Sequence, residues 1–195
     1  MISLGGKVMG LIKAISVYTL IGILPTIGYT QMDSVLLRRV SCFSLGFVAG
    51  VQGSDTGVGL EATSRPLLGK SLLLRVRGGL NWLESYKAQT GDNITYPSFA
   101  AAIVYQIPHS ERARFYFETG PFVLLPSVKF SDRRSVTGMY LTAGAEFLAR
   151  CKPGLMLSYF FGAGLAYCDA TAEKLENQPE YGDGFIFTNG LRFYF

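Results

Sequence analysis

Charge, histidine and paired cysteines are what this chain of 195 residues has little of. Charged residues make up 16% of it, against the roughly 25% of an ordinary soluble domain, so a surface of this composition is poorly solvated by water. The one histidine, His109, falls in a short turn and offers no general-base constellation, so an enzyme is not expected. The three cysteines, Cys42, Cys151 and Cys168, form no CxxC pair and have no histidine at ligand spacing, so neither a metal site nor a cofactor is expected. Cys42 and Cys151 would share one rim of the fold derived below, but spacing alone does not pair them, and the thiols are read as free. The net charge is +4, and after residue 30 the basic residues are scattered; Arg38-Arg39 and Arg133-Arg134 are too short to track phosphates, which excludes nucleic acid as a partner. Past residue 30 no apolar run approaches the roughly 20 residues of a membrane helix. Yet 49% of the chain is hydrophobic, so that content must be dispersed along it.

Residues 1–30 carry Lys7 and Lys13, an apolar stretch from Ala14 to Ile27, and then Gly28-Tyr29-Thr30. This is the three-part layout of a secretory signal peptide, with cleavage expected before Gln31; an uncleaved anchor is the alternative. Residues 31–40 form a lead-in, and residues 41–195 the folded domain.

From residue 43 onward the dominant pattern is alternation, which places one apolar face on each strand. It recurs eight times: from Phe43 to Val51, Val58 to Thr63, Leu72 to Trp82, Ser98 to Ile107, Phe115 to Gly120, Gly138 to Phe147, Leu155 to Ala166 and Phe185 to Phe195. One face is large and aromatic-rich. The other is mostly Gly, Ala, Ser and Thr with an occasional Arg or Glu, which suits the crowded lumen of a narrow barrel whose large face meets lipid. The expected fold class is therefore all-β: a closed antiparallel transmembrane barrel of about eight strands in up-and-down order. Ten strands, with 122–136 as strand extensions, is one alternative. A soluble lipocalin-type barrel with the large residues inward is another. Pro121 is expected at a rim or bulge because it cannot donate to a ladder, and Asn189 falls on the lipid-facing parity.

The connections near 64–70, 108–112 and 150–154 are short, while those near 83–96, 124–136 and 167–184 are long and polar. Only 52–57 is brief among the latter. With this rhythm and the ending Gly190-Leu191-Arg192-Phe193-Tyr194-Phe195, the stretch from 41 to 195 resembles the small eight-stranded outer-membrane proteins, the OmpA transmembrane domain, OmpX and OmpW among them. The resemblance implies the outer membrane of a Gram-negative-type bacterium with both termini periplasmic. It implies contact with outer-membrane lipid and lipopolysaccharide, and insertion through machinery that reads the C-terminal strand.

Glu61, Arg75, Arg77, Glu118, Glu146 and Arg192 all fall on the small-residue parity, three acids with three bases. Such charges are expected to pair within the lumen, with Glu61 the partner of Arg75 and Arg77. Phe43, Trp82, Tyr105, Phe115, Tyr159, Phe193 and Phe195 are expected at the membrane interfaces. Three functions remain open: a structural or surface-interaction barrel with a filled lumen; a narrow pore or small-molecule transport barrel, the pore gated by the same charges, as the resemblance to the OmpA domain implies; and, behind both, a lipid-modifying outer-membrane enzyme, which would have to work without the histidine such enzymes use.

Overall fold

Each strand has one apolar and one contrasting face, so a flat sheet would leave both its edges and its large face unsatisfied. Curling it shut removes the edges. The computed structural model describes residues 43–67, 71–108, 110, 112–152 and 155–195. The expected signal peptide at 1–30 and lead-in at 31–40, with Cys42, His109 and the side chain of Cys151, lie outside the described residues. The strands are β1 (Ser44–Gln52), β2 (Asp55–Thr63), β3 (Leu72–Trp82), β4 (Thr95–Pro108), β5 (Ala113–Leu124), β6 (Val136–Lys152), β7 (Leu155–Cys168) and β8 (Gly184–Tyr194). A short helix, α1 (Glu84–Thr90), lies between β3 and β4. Consecutive strands pair antiparallel, and β8 pairs with β1 to close an eight-stranded up-and-down barrel.

The ten-strand alternative is thereby corrected: residues 122–124 continue β5, and Val136 opens β6. The first connection is tighter than the expected 52–57 loop. It is the turn Gly53-Ser54, in which Gly53 has φ +61, a left-handed value that favours glycine. Pro121 marks neither a rim nor a bulge. It sits inside β5; the β4–β5 ladder skips the residues opposite Gly120 and Pro121 and resumes in the same register, while Pro121 stays opposite Met139 on β6.

The large face points outward: Phe47, Leu60, Phe99, Leu141 and Leu165 are 62%, 59%, 52%, 58% and 64% exposed. That overturns the lipocalin alternative, which needs those side chains inside. Asn189 lies on the same outer face, opposite Ala49 and Phe161, and is half-buried. The inner face is less uniformly small than its parity suggests, for Val48, Leu73, Val104, Tyr116 and Phe160 form a buried cluster within it. Tyr116 fits because of glycines on the facing wall: a Cβ at Gly144 or Gly162 would lie 2.5 or 2.6 Å from its hydroxyl.

Candidate functional site: the filled lumen and its cap

The inward parity of β2, β3, β5, β6 and β8 brings the charged residues together at mid-barrel. Arg75 pairs with Glu118; Arg77 bridges Glu118 at 3.3 Å and Glu61 at 3.1 Å. Glu61 also meets Arg192, which faces Glu146 at 3.3 Å. Glu146 in turn accepts from Arg114 Nε at 2.7 Å. All six residues expected in the lumen are thus joined in one continuous chain, Arg75–Glu118–Arg77–Glu61–Arg192–Glu146–Arg114. One expectation within it is corrected: the ion-pair partner of Arg75 is Glu118 and not Glu61, because the narrow lumen lets side chains reach past the adjacent strand.

Arg114 was missing from the sequence reading, and it makes the balance four guanidiniums to three carboxylates. Its signal was its place on the inward parity two residues before Tyr116, hidden by starting the fifth strand at Phe115. Hydroxyls complete the set. Tyr140 donates to Glu118 at 2.5 Å, Tyr194 donates to Glu146 at 2.6 Å and accepts from Arg114, and Ser158 donates to Glu146. Arg75 Nε donates to Thr63 at 3.0 Å. Aromatic faces supply the remaining contacts: the Arg192 guanidinium carbon lies 3.6 Å from the centre of the Phe160 ring, and Tyr116 sits between Arg75 and Arg192 at 5.4 and 5.5 Å. Charges taken out of water this far are tolerable only with such partners.

A second layer closes the long-loop end. Leu83, Ile94, Tyr96, Leu124, Phe130, Leu175 and Tyr181 form part of one buried cluster, with Tyr96–Tyr181 and Phe130–Tyr181 in edge contacts at 5.4 and 5.2 Å. Buried Asp55 accepts from the Tyr96 hydroxyl at 2.7 Å and from the Glu84 amide at 3.3 Å, which fixes α1 to the barrel mouth. Polar straps hold the loops to one another. Ser131 donates to Glu173 at 2.8 Å, Arg133 pairs with Asp169 at 3.2 Å, Lys174 pairs with Asp132 at 2.8 Å, and Gln89 bonds the backbone of Glu176 in both directions. Burial works against the Glu173 charge, but the backbone and Ser131 hydrogen bonds outweigh it and hold its carboxyl below the usual range.

The aromatics expected at the interfaces divide between the two ends. Phe43, Tyr105, Phe115, Tyr159, Phe193 and Phe195 lie toward the short-turn end, where the Phe195 amide bonds the Phe43 carbonyl at 3.1 Å. Trp82 stands alone among these seven at the long-loop end, opposite Thr56 and Thr95. Among the described residues no group of three or more His, Cys, Asp or Glu side chains could hold a metal ion. Cys168 is buried and free.

No protein-family model and no curated protein matches the chain. Among solved structures it is similar to the N-terminal β-barrel domain of Pseudomonas aeruginosa OprF, at 10% identity and a TM-score of 0.49, over 80% of this chain and 98% of that one. It is similar to designed transmembrane β-barrels at 15% identity and a TM-score of 0.41, over 80% and 96%. The attachment invasion locus protein Ail of Yersinia pestis aligns at 14% identity and a TM-score of 0.39, over 78% and 95%. The barrel turns its large apolar residues outward and its ion pairs inward, the arrangement a lipid-embedded wall requires. The chain has the fold of the small eight-stranded outer-membrane β-barrels.

Proposed function

We propose that this barrel resides in the outer membrane of a Gram-negative-type bacterium with both termini in the periplasm, and that its role is structural or surface-interacting, without catalysis. In this reading the outer face meets lipid and lipopolysaccharide, the long loops meet the exterior, and the strand ending in Phe195 addresses the insertion machinery. The observation that carries it is the double closure of the lumen: a continuous ion-pair chain at mid-barrel and an aromatic cap over the long-loop end. An interior filled in this way leaves the loops and the lipid-facing wall as the working surfaces.

Planar-bilayer recording from protein extracted from a fractionated outer membrane, with its mobility compared before and after boiling, tests the reading. A heat-modifiable band in that fraction and no sustained conductance are expected. A steady conductance that changes on replacing Glu61 or Arg77 would instead establish the second reading, a narrow pore gated by the ion pairs. That reading draws its support from a cavity of about 90 Å³ beside Arg77 in the long-loop half of the lumen.

A further inference from the structure

The cavity is more than a packing defect, because its walls differ in kind. Toward β1, β2 and β3 it meets Gly50, Gly57, Gly59 and Gly79, inward positions where no side chain fills the lumen. Phe122 and Tyr140 stand opposite these, Ile186 lies beside β1 in register with Gln52, and Gln52, Asn81, Ser98 and Thr188 supply further polar lining. Arg77 is the sole charged residue among those lining it.

Arg77 also differs from the rest of the ion-pair chain. Its side chain is 18% exposed, against 1% for Arg75 and 0% for Arg192, and the cavity is what it faces. Its Nε, like Arg75 Nη2 and both terminal nitrogens of Arg192, is buried without a hydrogen-bond partner, while its Nη2 holds both Glu61 and Glu118. The chain to which it belongs carries one guanidinium more than carboxylates. The nearest further acid on the inner face of that wall, Asp55, is six residues along β2 from Glu61, roughly 20 Å away at strand rise, and is engaged in the cap. Arg77 is therefore the guanidinium of the chain that meets the cavity, in a pocket with one apolar side. Above this wall β1 and β2 join through Gly53-Ser54 alone.

We propose that this half-lumen cavity binds a small monocarboxylate, its carboxylate on the Arg77 guanidinium and its short chain against Phe122 and Ile186. A guanidinium N–H gives a carboxylate a charge-assisted hydrogen bond, Nη1 being the terminal nitrogen of Arg77 that holds neither Glu61 nor Glu118, and the glycine wall lets the ligand lie flat against backbone. A volume of about 90 Å³ suits a small acid such as butyrate. The site does not depend on whether the lumen conducts.

Titrating sodium butyrate into the isotopically labelled barrel in micelles, followed by amide NMR at constant ionic strength, tests it. Saturable shifts confined to Gly50, Gly57, Gly59, Gly79 and Ala100 are expected, with butyramide binding at least about tenfold more weakly because it lacks the charge. Ala100 lies opposite Arg77 in the β3–β4 ladder and outside the ion-pair chain, so Ala100→Leu fills the cavity while leaving the charges in place and should abolish the shifts. If that variant does not fold, Ser98→Val serves the same purpose. Absence of saturable shifts in the wild type, equal binding of butyramide, or unchanged binding in a folded cavity-filled variant would each overturn the proposal.

Discussion

Replacing Glu146 with Gln removes one charge and almost no volume, and the structure gives its consequence. Glu146 is 0% exposed and accepts from Arg114, Ser158 and Tyr194 while facing Arg192. The amide keeps one good acceptor and presents donors where guanidinium and hydroxyl donors already converge, so Arg114 loses its only carboxylate and Arg192 keeps Glu61 alone. Removing one partner of a buried pair costs about 4 kcal/mol, within the range of 3–5 found where an uncompensated charge is left behind. With an m-value of ~2 kcal/mol/M, the urea midpoint of the barrel in lipid vesicles should fall by roughly 2 M. Arg114→Gln alone should cost less, because Glu146 retains Arg192. The double variant should be milder than the sum of the two by about 1–3 kcal/mol, the sign of direct coupling. A midpoint shift below about 0.5 M for Glu146→Gln, or strict additivity in the cycle, would refute the reasoning that these charges compensate one another.

Two further outcomes follow from the wall and the cap. A Cβ at Gly164 would lie 1.9 Å from the Leu141 carbonyl oxygen, whereas at Gly78 on the outer face its nearest neighbour is the Phe99 ring at 3.4 Å; Gly164→Ala should therefore prevent or greatly weaken folding and Gly78→Ala should not, as read from heat-modifiable mobility. Glu173 has its carboxyl held below the ordinary value of 4.5, so its stabilisation of the cap is present above that pH and lost as the pH falls through the lowered value. Hydrogen exchange in 169–183, corrected for intrinsic rate, should accelerate as the pH falls below the ordinary carboxyl value of 4.5 in the wild type and show no such step in Glu173→Gln.

The walls were legible because a two-residue period survives any context: each strand buries one face, and charges such as Arg75 and Arg77 stood out against the small residues around them. Partner choice was not legible. Arg75 meets Glu118 across two ladders, a result of strand tilt and lumen width that neighbouring strands do not reveal. Pro121 misled in the same way, since the missing N–H interrupts one ladder while the pairing with β6 runs on through Met139. The cap escaped notice because the long connections were read by their acids, while Phe130 and Tyr181, which hold them together, follow no period.

Arg192 sits on the last strand, yet its carboxylate partners are Glu61 of β2 and Glu146 of β6. Every other neighbouring pair of strands is a hairpin or its equivalent, close in sequence, whereas β8 must find β1 across the whole barrel. Until it does, Glu61 and Glu146 keep Arg77 and Arg114 but lack the guanidinium that links them in the closed barrel. Closing the ring therefore also completes the ion-pair chain, joining its Arg75–Glu118–Arg77–Glu61 part to its Glu146–Arg114 part, and a barrel whose final strand is absent or out of register keeps two separate charge clusters.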